Sequence, residues 1–87
     1  MTTVEATGHL RVYTDPAGAA ELMRRLVGNA RFEATLGEED GHWFVDVRDV
    51  EGALRRVVDL VAEEAELGTV SFATVCAGGR TFTFPSS

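Results

Sequence analysis

The period of the apolar residues switches repeatedly between two and about 3.6 along this chain, and that alternation restricts the fold more than any other feature. His9 to Tyr13 alternates, with Leu10 and Val12 on one side and His9, Arg11 and Tyr13 on the other. The pattern predicts a half-buried strand. Asp15-Pro16 follows, an N-cap residue with proline at the first helical position. Ala19, Leu22, Met23, Leu26 and Val27 then share one helix face, Glu21 can reach Arg25 one turn on, and Gly28-Asn29 supplies a left-handed stop.

Ala30 to Leu36 alternates again, placing Phe32, Ala34 and Leu36 opposite Arg31, Glu33 and Thr35. The segment from Gly37 to Gly41 reads as a five-residue turn. His42 to Val47 continues as a strand with Trp43, Val45 and Val47 on one side. A register slip of one residue would exchange Trp43 for Phe44. Asp49 can cap a second helix, whose stripe is Val50, Leu54, Val57, Val58, Val61 and Ala65, with Glu51 paired to Arg55 and a stop near Gly68. Thr69 to Val75 and Arg80 to Phe84 are further strands, joined through Cys76-Ala-Gly-Gly79, and Pro85 ends the last one.

The order is β-α-β-β-α-β-β, which predicts an α+β fold: a ferredoxin-like βαββαβ sandwich with an added C-terminal strand. Two helices cover one face of an antiparallel sheet of order 2-3-1-4-5. Residues 1–8 read as a flexible N-terminus, 9–85 as one domain and 86–87 as a tail. The expected core is Leu10, Val12, Leu22, Met23, Leu26, Phe32, Ala34, Trp43, Val45, Val47, Leu54, Val57, Val58, Val61, Val70, Phe72, Phe82 and Phe84.

Charge narrows the partners. The formal net charge is −6, and the basic residues, all arginine, never run longer than the pairs Arg24–Arg25 and Arg55–Arg56. Phosphate backbones and anionic lipid repel such a surface, so neither nucleic acid nor membrane is an expected partner. The single cysteine, Cys76, forms no intrachain disulfide, and the first residues lack the pattern of a signal peptide. Both point to the cytoplasm. The absence of Lys, Ile and Gln, whose codons are AT-rich, points to a GC-rich, bacterial genome.

Sites of chemistry are scarce. His9 and His42 fall at opposite ends of antiparallel neighbours, roughly 13 Å apart, too far for one metal ion. His9 is expected beside Asp46 instead. Cys76 has neither a Cys-x-x-Cys partner nor an adjacent His, and reads as packing. Glu38, Glu39 and Asp40 form too short a run for a calcium loop and read as a solvated hairpin tip. Glu63, Glu64 and Glu66 read as a solvated face at a helix end, where the macrodipole disfavours them, leaving room for a basic partner. With no nucleophile, base or phosphate-binding motif, the chain is read as no enzyme, with no cofactor and no metal.

The uncovered sheet face remains. It should present Arg11, Tyr13, Glu33, His42, Phe44 and Asp46, with Phe44 and Tyr13 as apolar surface in need of cover. The leading expectation is an interaction module that binds itself, as a homodimer, or another protein through that face. Separately, Leu10-Arg-Val-Tyr-Thr-Asp-Pro-Ala-Gly18 and the Leu-containing helix after it resemble the start of ACT domains, regulatory modules with the βαββαβ order. The resemblance spans Leu10 to about Val75. It implies amino-acid sensing by a sheet-paired dimer, with Asp15 and Gly18 as ligand-site positions.

Overall fold

Alternation does place a strand first: β1 (His9–Thr14) buries Leu10 and Val12 completely. This computed structural model describes residues 9–48 and 51–84, and of His9 the backbone alone. The helix α1 (Pro16–Met23) starts where Asp15-Pro16 puts it, with the Asp15 carboxylate accepting from the Gly18 N–H at 3.3 Å. It ends differently. Arg24–Asn29 is π-helical, with the Ala30 N–H bonded to the Arg25 carbonyl five residues back at 3.0 Å. A π turn advances each residue through a smaller angle than the 100° of an α-helix. Leu26 stays buried, but Val27, expected on the apolar face, is rotated out and 45% exposed. The same shift gives Glu21 to Arg24 rather than Arg25, and that contact holds the Glu21 carboxyl below its ordinary 4.5. The left-handed residue after the helix is Arg31 (φ 62°), not Gly28 or Asn29.

Strands β2 (Ala34–Glu39) and β3 (His42–Arg48) form a hairpin closed by Asp40-Gly41 alone. Both turn residues have positive φ (53° and 81°), the conformation a two-residue type I′ turn needs. The expected five-residue loop is therefore wrong, and Gly37, Glu38 and Glu39 belong to β2. Trp43, Val45 and Val47 do face the core, with Val45 and Val47 fully buried. Leu36, at the outer edge, is 44% exposed.

The helix α2 (Ala53–Leu67) begins after left-handed Gly52 with no side-chain cap. The expected cap Asp49 and the stripe residue Val50 lie outside the described residues. Glu51 precedes the helix, and no Glu51–Arg55 ion pair occurs among the described residues. Gly68, left-handed at φ 84°, closes the far end as expected. The Thr69 and Val70 amides then both turn back to the Glu64 carbonyl, at 3.1 and 3.4 Å. That closure delays the next strand, so β4 is Ala73–Ala77 and not Thr69 to Val75. Its buried residues are Ala73, Val75 and Ala77. Val70 is buried within the turn, but Phe72, expected in the core, is 48% exposed. Cys76 lies in β4 rather than in a loop, because Gly78-Gly79 suffices to reach β5 (Arg80–Phe84).

The sheet is antiparallel throughout, in the order β2-β3-β1-β4-β5. Leu22 and Leu26 from the first helical unit and Val57 and Val61 from α2 join Leu10, Val12, Val45, Val47 and Val75 in one core. Both helices therefore cover the same face, and among the described residues the other face is open. The Cα radius of gyration, 12.1 Å, is that of a single folded unit of this length, about 12 Å. The fold class is α+β.

Candidate functional site

Strand alternation fixes what the open face shows. The cross-strand row Thr35, Asp46, Arg11, Cys76 and Thr81 crosses the whole sheet. The next row is Gly37, Phe44, Tyr13, Thr74 and Thr83. On its β2 side this face is charged and aromatic; on its β5 side it is almost all threonine.

Arg11 organises the charged side. Its Nε and Nη2 meet the two Asp46 oxygens at 2.7 and 3.0 Å, the bidentate geometry that holds a guanidinium most firmly. The guanidinium carbon lies 3.8 Å from the Phe44 ring centroid and 5.8 Å from that of Tyr13. Its Nη1 is 3.4 Å from both the Tyr13 hydroxyl and Glu39. The Asp46 bond, with smaller help from Tyr13, raises the Arg11 pKa above its ordinary 12.5, so the group is permanently cationic. Tyr13 and Phe44 meet edge to face, with centroids 5.9 Å apart.

Phe44 is consequently not the bare apolar surface the sequence suggests. It is half-buried, with Arg11 above it and the Gly37 backbone beneath. A Cβ on Gly37 would fall 2.6 Å from Phe44 Cζ, so the glycine is what lets the ring lie flat. Gly37→Val will lower stability by about 2 kcal/mol, within the range of overpacking. In a Phe44→Ala background the same change will be close to neutral. Urea unfolding of the two pairs checks this.

Of the six residues expected on this face, Arg11, Tyr13, Phe44 and Asp46 form one cluster. Glu33 pairs instead with Arg48 at 3.1 Å, an exposed contact at the far corner of the sheet. His42 is exposed opposite Glu39, at the hairpin end. Glu39, read from the sequence as part of a turn, is a member the sequence missed. The signal was Asp40-Gly41, which marks a two-residue turn and extends β2 to Glu39. His9 sits opposite Arg48, not beside Asp46. The six steps from Arg48 to His42 separate the histidine positions by about 20 Å. No group of three or more metal-ligating side chains occurs among the described residues.

At the other candidate position, Asp15 and Gly18 contact the chain itself. The hydroxyl of buried Thr14 donates to the Phe72 carbonyl at 2.6 Å, with Asp15 Oδ1 3.2 Å from the same oxygen. A Cβ on Gly18 would lie 2.6 Å from Thr14 Oγ1 and 2.8 Å from Asp15 Oδ1.

Glu64 departs most from its expected place. It is 2% exposed, on the α2 stripe with Ala53, Val57 and Val61. Its carboxylate is held by Arg25 and by the Thr69 hydroxyl, while Arg25 also reaches Glu63 at 3.2 Å. Glu64 is thus spent inside the chain, whereas Glu63 and Glu66 are exposed as expected.

No protein-family model, curated protein or solved structure matches this chain.

Proposed function

We propose that this chain is a small acidic interaction module, without enzymatic activity, that docks protein through the open face of its sheet. The observation that carries this reading is the Arg11 cluster. Arginine and aromatic side chains dominate the energetics of protein interfaces. Here they are ordered before any partner arrives, which lowers the entropy cost of docking. The charges of the face are also matched within it: Arg11 with Asp46 and Glu39, Arg48 with Glu33. Such a face favours a near-neutral protein surface over nucleic acid.

The antiparallel neighbours and the single helical layer support a ferredoxin-like βαββαβ sandwich extended by β5. A bacterial cytoplasmic setting is supported by the lone Cys76 and the arginine-only basic residues. No helix among the described residues is long and apolar enough to cross a membrane.

The test is residue-resolved. Isotope-labelled chain, titrated with the cytosol of the cells that make it, will lose amide intensity first at Arg11, Tyr13, Phe44 and Asp46. Phe44→Glu will abolish the loss. Broadening centred on the exposed side of α1 or α2, unchanged by Phe44→Glu, overturns the proposal.

A further inference from the structure

The sheet ends on β2 at one side and β5 at the other, and their outer edges differ in chemistry. Exposed edges are ordinarily protected by charge, proline or a bulge. β2 carries Glu38 and Glu39 and a central glycine. β5 reads Arg-Thr-Phe-Thr-Phe, with no acid, no lysine and no proline between Arg80 and Phe84.

We infer that the outer edge of β5 pairs antiparallel with β5 of a second copy, joining two sheets into one across a two-fold axis at Phe82. The inference stands independently of the open-face reading. The Gly78-Gly79 turn makes Ala77 and Arg80 a hydrogen-bonded pair, and the bonding then alternates along the ladder. Arg80, Phe82 and Phe84 therefore spend their backbone groups on β4. Thr81 and Thr83 aim theirs outward, at an edge with no further strand among the described residues. An antiparallel copy centred on Phe82 sets Thr81 opposite Thr83 of the second copy, on both sides of the axis. Those are the positions whose N–H and C=O groups need partners.

The side chains agree with that register. On the helix-side face Phe82 meets Phe82 of the second copy at a non-hydrogen-bonded position, where cross-strand side chains come closest. Arg80 falls opposite Phe84, and it already lies 5.4 Å from the centroid of its own Phe82 ring. On the open face threonine meets threonine, a favourable cross-strand pair. Phe82 and Phe84 are half-buried in the single chain, so pairing removes further aromatic surface from water. Charge is compatible too. Two copies at −6 each repel, but this edge holds no acid, and the two Arg80 residues end up about 14 Å apart, beyond the Debye length of about 8 Å.

Light scattering behind size exclusion decides the matter. The native chain is expected at twice 9.4 kDa. The exposed pair Thr81→Glu with Thr83→Glu sets acid against acid and will halve the mass. Thr81→Arg with Thr83→Glu sets arginine against glutamate and will restore the doubled mass. Circular dichroism checks that each variant folds. Phe44→Glu, on the open face, will leave the mass doubled. A native mass of 9.4 kDa overturns the inference. So does a doubled mass that survives the two glutamates, or one lost to Phe44→Glu, which would seat the second copy on the open face.

Discussion

Arg25→Ala will lower the free energy of unfolding by about 3 kcal/mol, a cost typical of leaving a buried charge without its partner. Glu64 is 2% exposed and sits near the C-terminal end of α2, where the helix dipole is also unfavourable to a carboxylate. Arg25 and the Thr69 hydroxyl offset both costs, and Arg25 also holds Glu63. Without the guanidinium, Glu64 must stay buried on one hydroxyl or drag the end of α2 toward water. Replacing both partners with apolar residues, Arg25→Met with Glu64→Leu, removes the charge along with its partner and will cost less than about 1 kcal/mol. Urea midpoints for the single and double variants measure the difference. If Arg25→Ala costs as little as the double variant, the pair is not holding the two helices together.

Gly18→Val will be nearly as damaging, at about 3 kcal/mol, combining overpacking with partial loss of the Asp15 cap. A valine Cβ would intrude on Thr14 Oγ1 and Asp15 Oδ1 and touch Val70 at 3.4 Å. Thr14 cannot swing away without breaking its bond to the Phe72 carbonyl, which ties β1 to the segment before β4. The clash is therefore with a fixed group. Gly18→Ala will show the same sign with a smaller magnitude, despite the better helix propensity of alanine. In a Thr14→Ala chain, where that oxygen is gone, Gly18→Ala will cost less still. A double-mutant cycle that shows no coupling between positions 14 and 18 would remove this account.

Much of the architecture was legible because local signals agreed with the period of the apolar residues. Asp15-Pro16 and left-handed Gly68 bound their helices as read, and Trp43, Val45 and Val47 face the core. The misplacements share a cause: a local backbone change shifted the phase. The π turn at Arg24–Asn29 rotated Val27 outward and carried Arg25 to α2. The closure of α2 on the Glu64 carbonyl consumed residues 69–71 and left Phe72 outside. Glu64 was legible in principle, since it lies seven residues after Val57 on the same stripe. Its acidity argued for solvent, and its partner Arg25 is 39 positions away, beyond what helical spacing can show. On the open face, period two named Arg11, Tyr13, Phe44 and Asp46 correctly. The seating of Phe44 over Gly37 depends on cross-strand register, which alternation within one strand does not carry.

The first strand is also the innermost one: β1 lies between β3 and β4. Its neighbours on both sides are distant in sequence, with Leu10 opposite Val47 and Val12 opposite Val75. The β2–β3 and β4–β5 hairpins, by contrast, close over two residues each and can form locally. As the chain leaves the ribosome, β1 emerges before both of its neighbours and must wait for β4 before both its edges are covered. The long loops it closes make folding slow for a chain of this length. In that interval an uncovered strand containing Leu10, Val12 and Tyr13 is open to pairing with other chains.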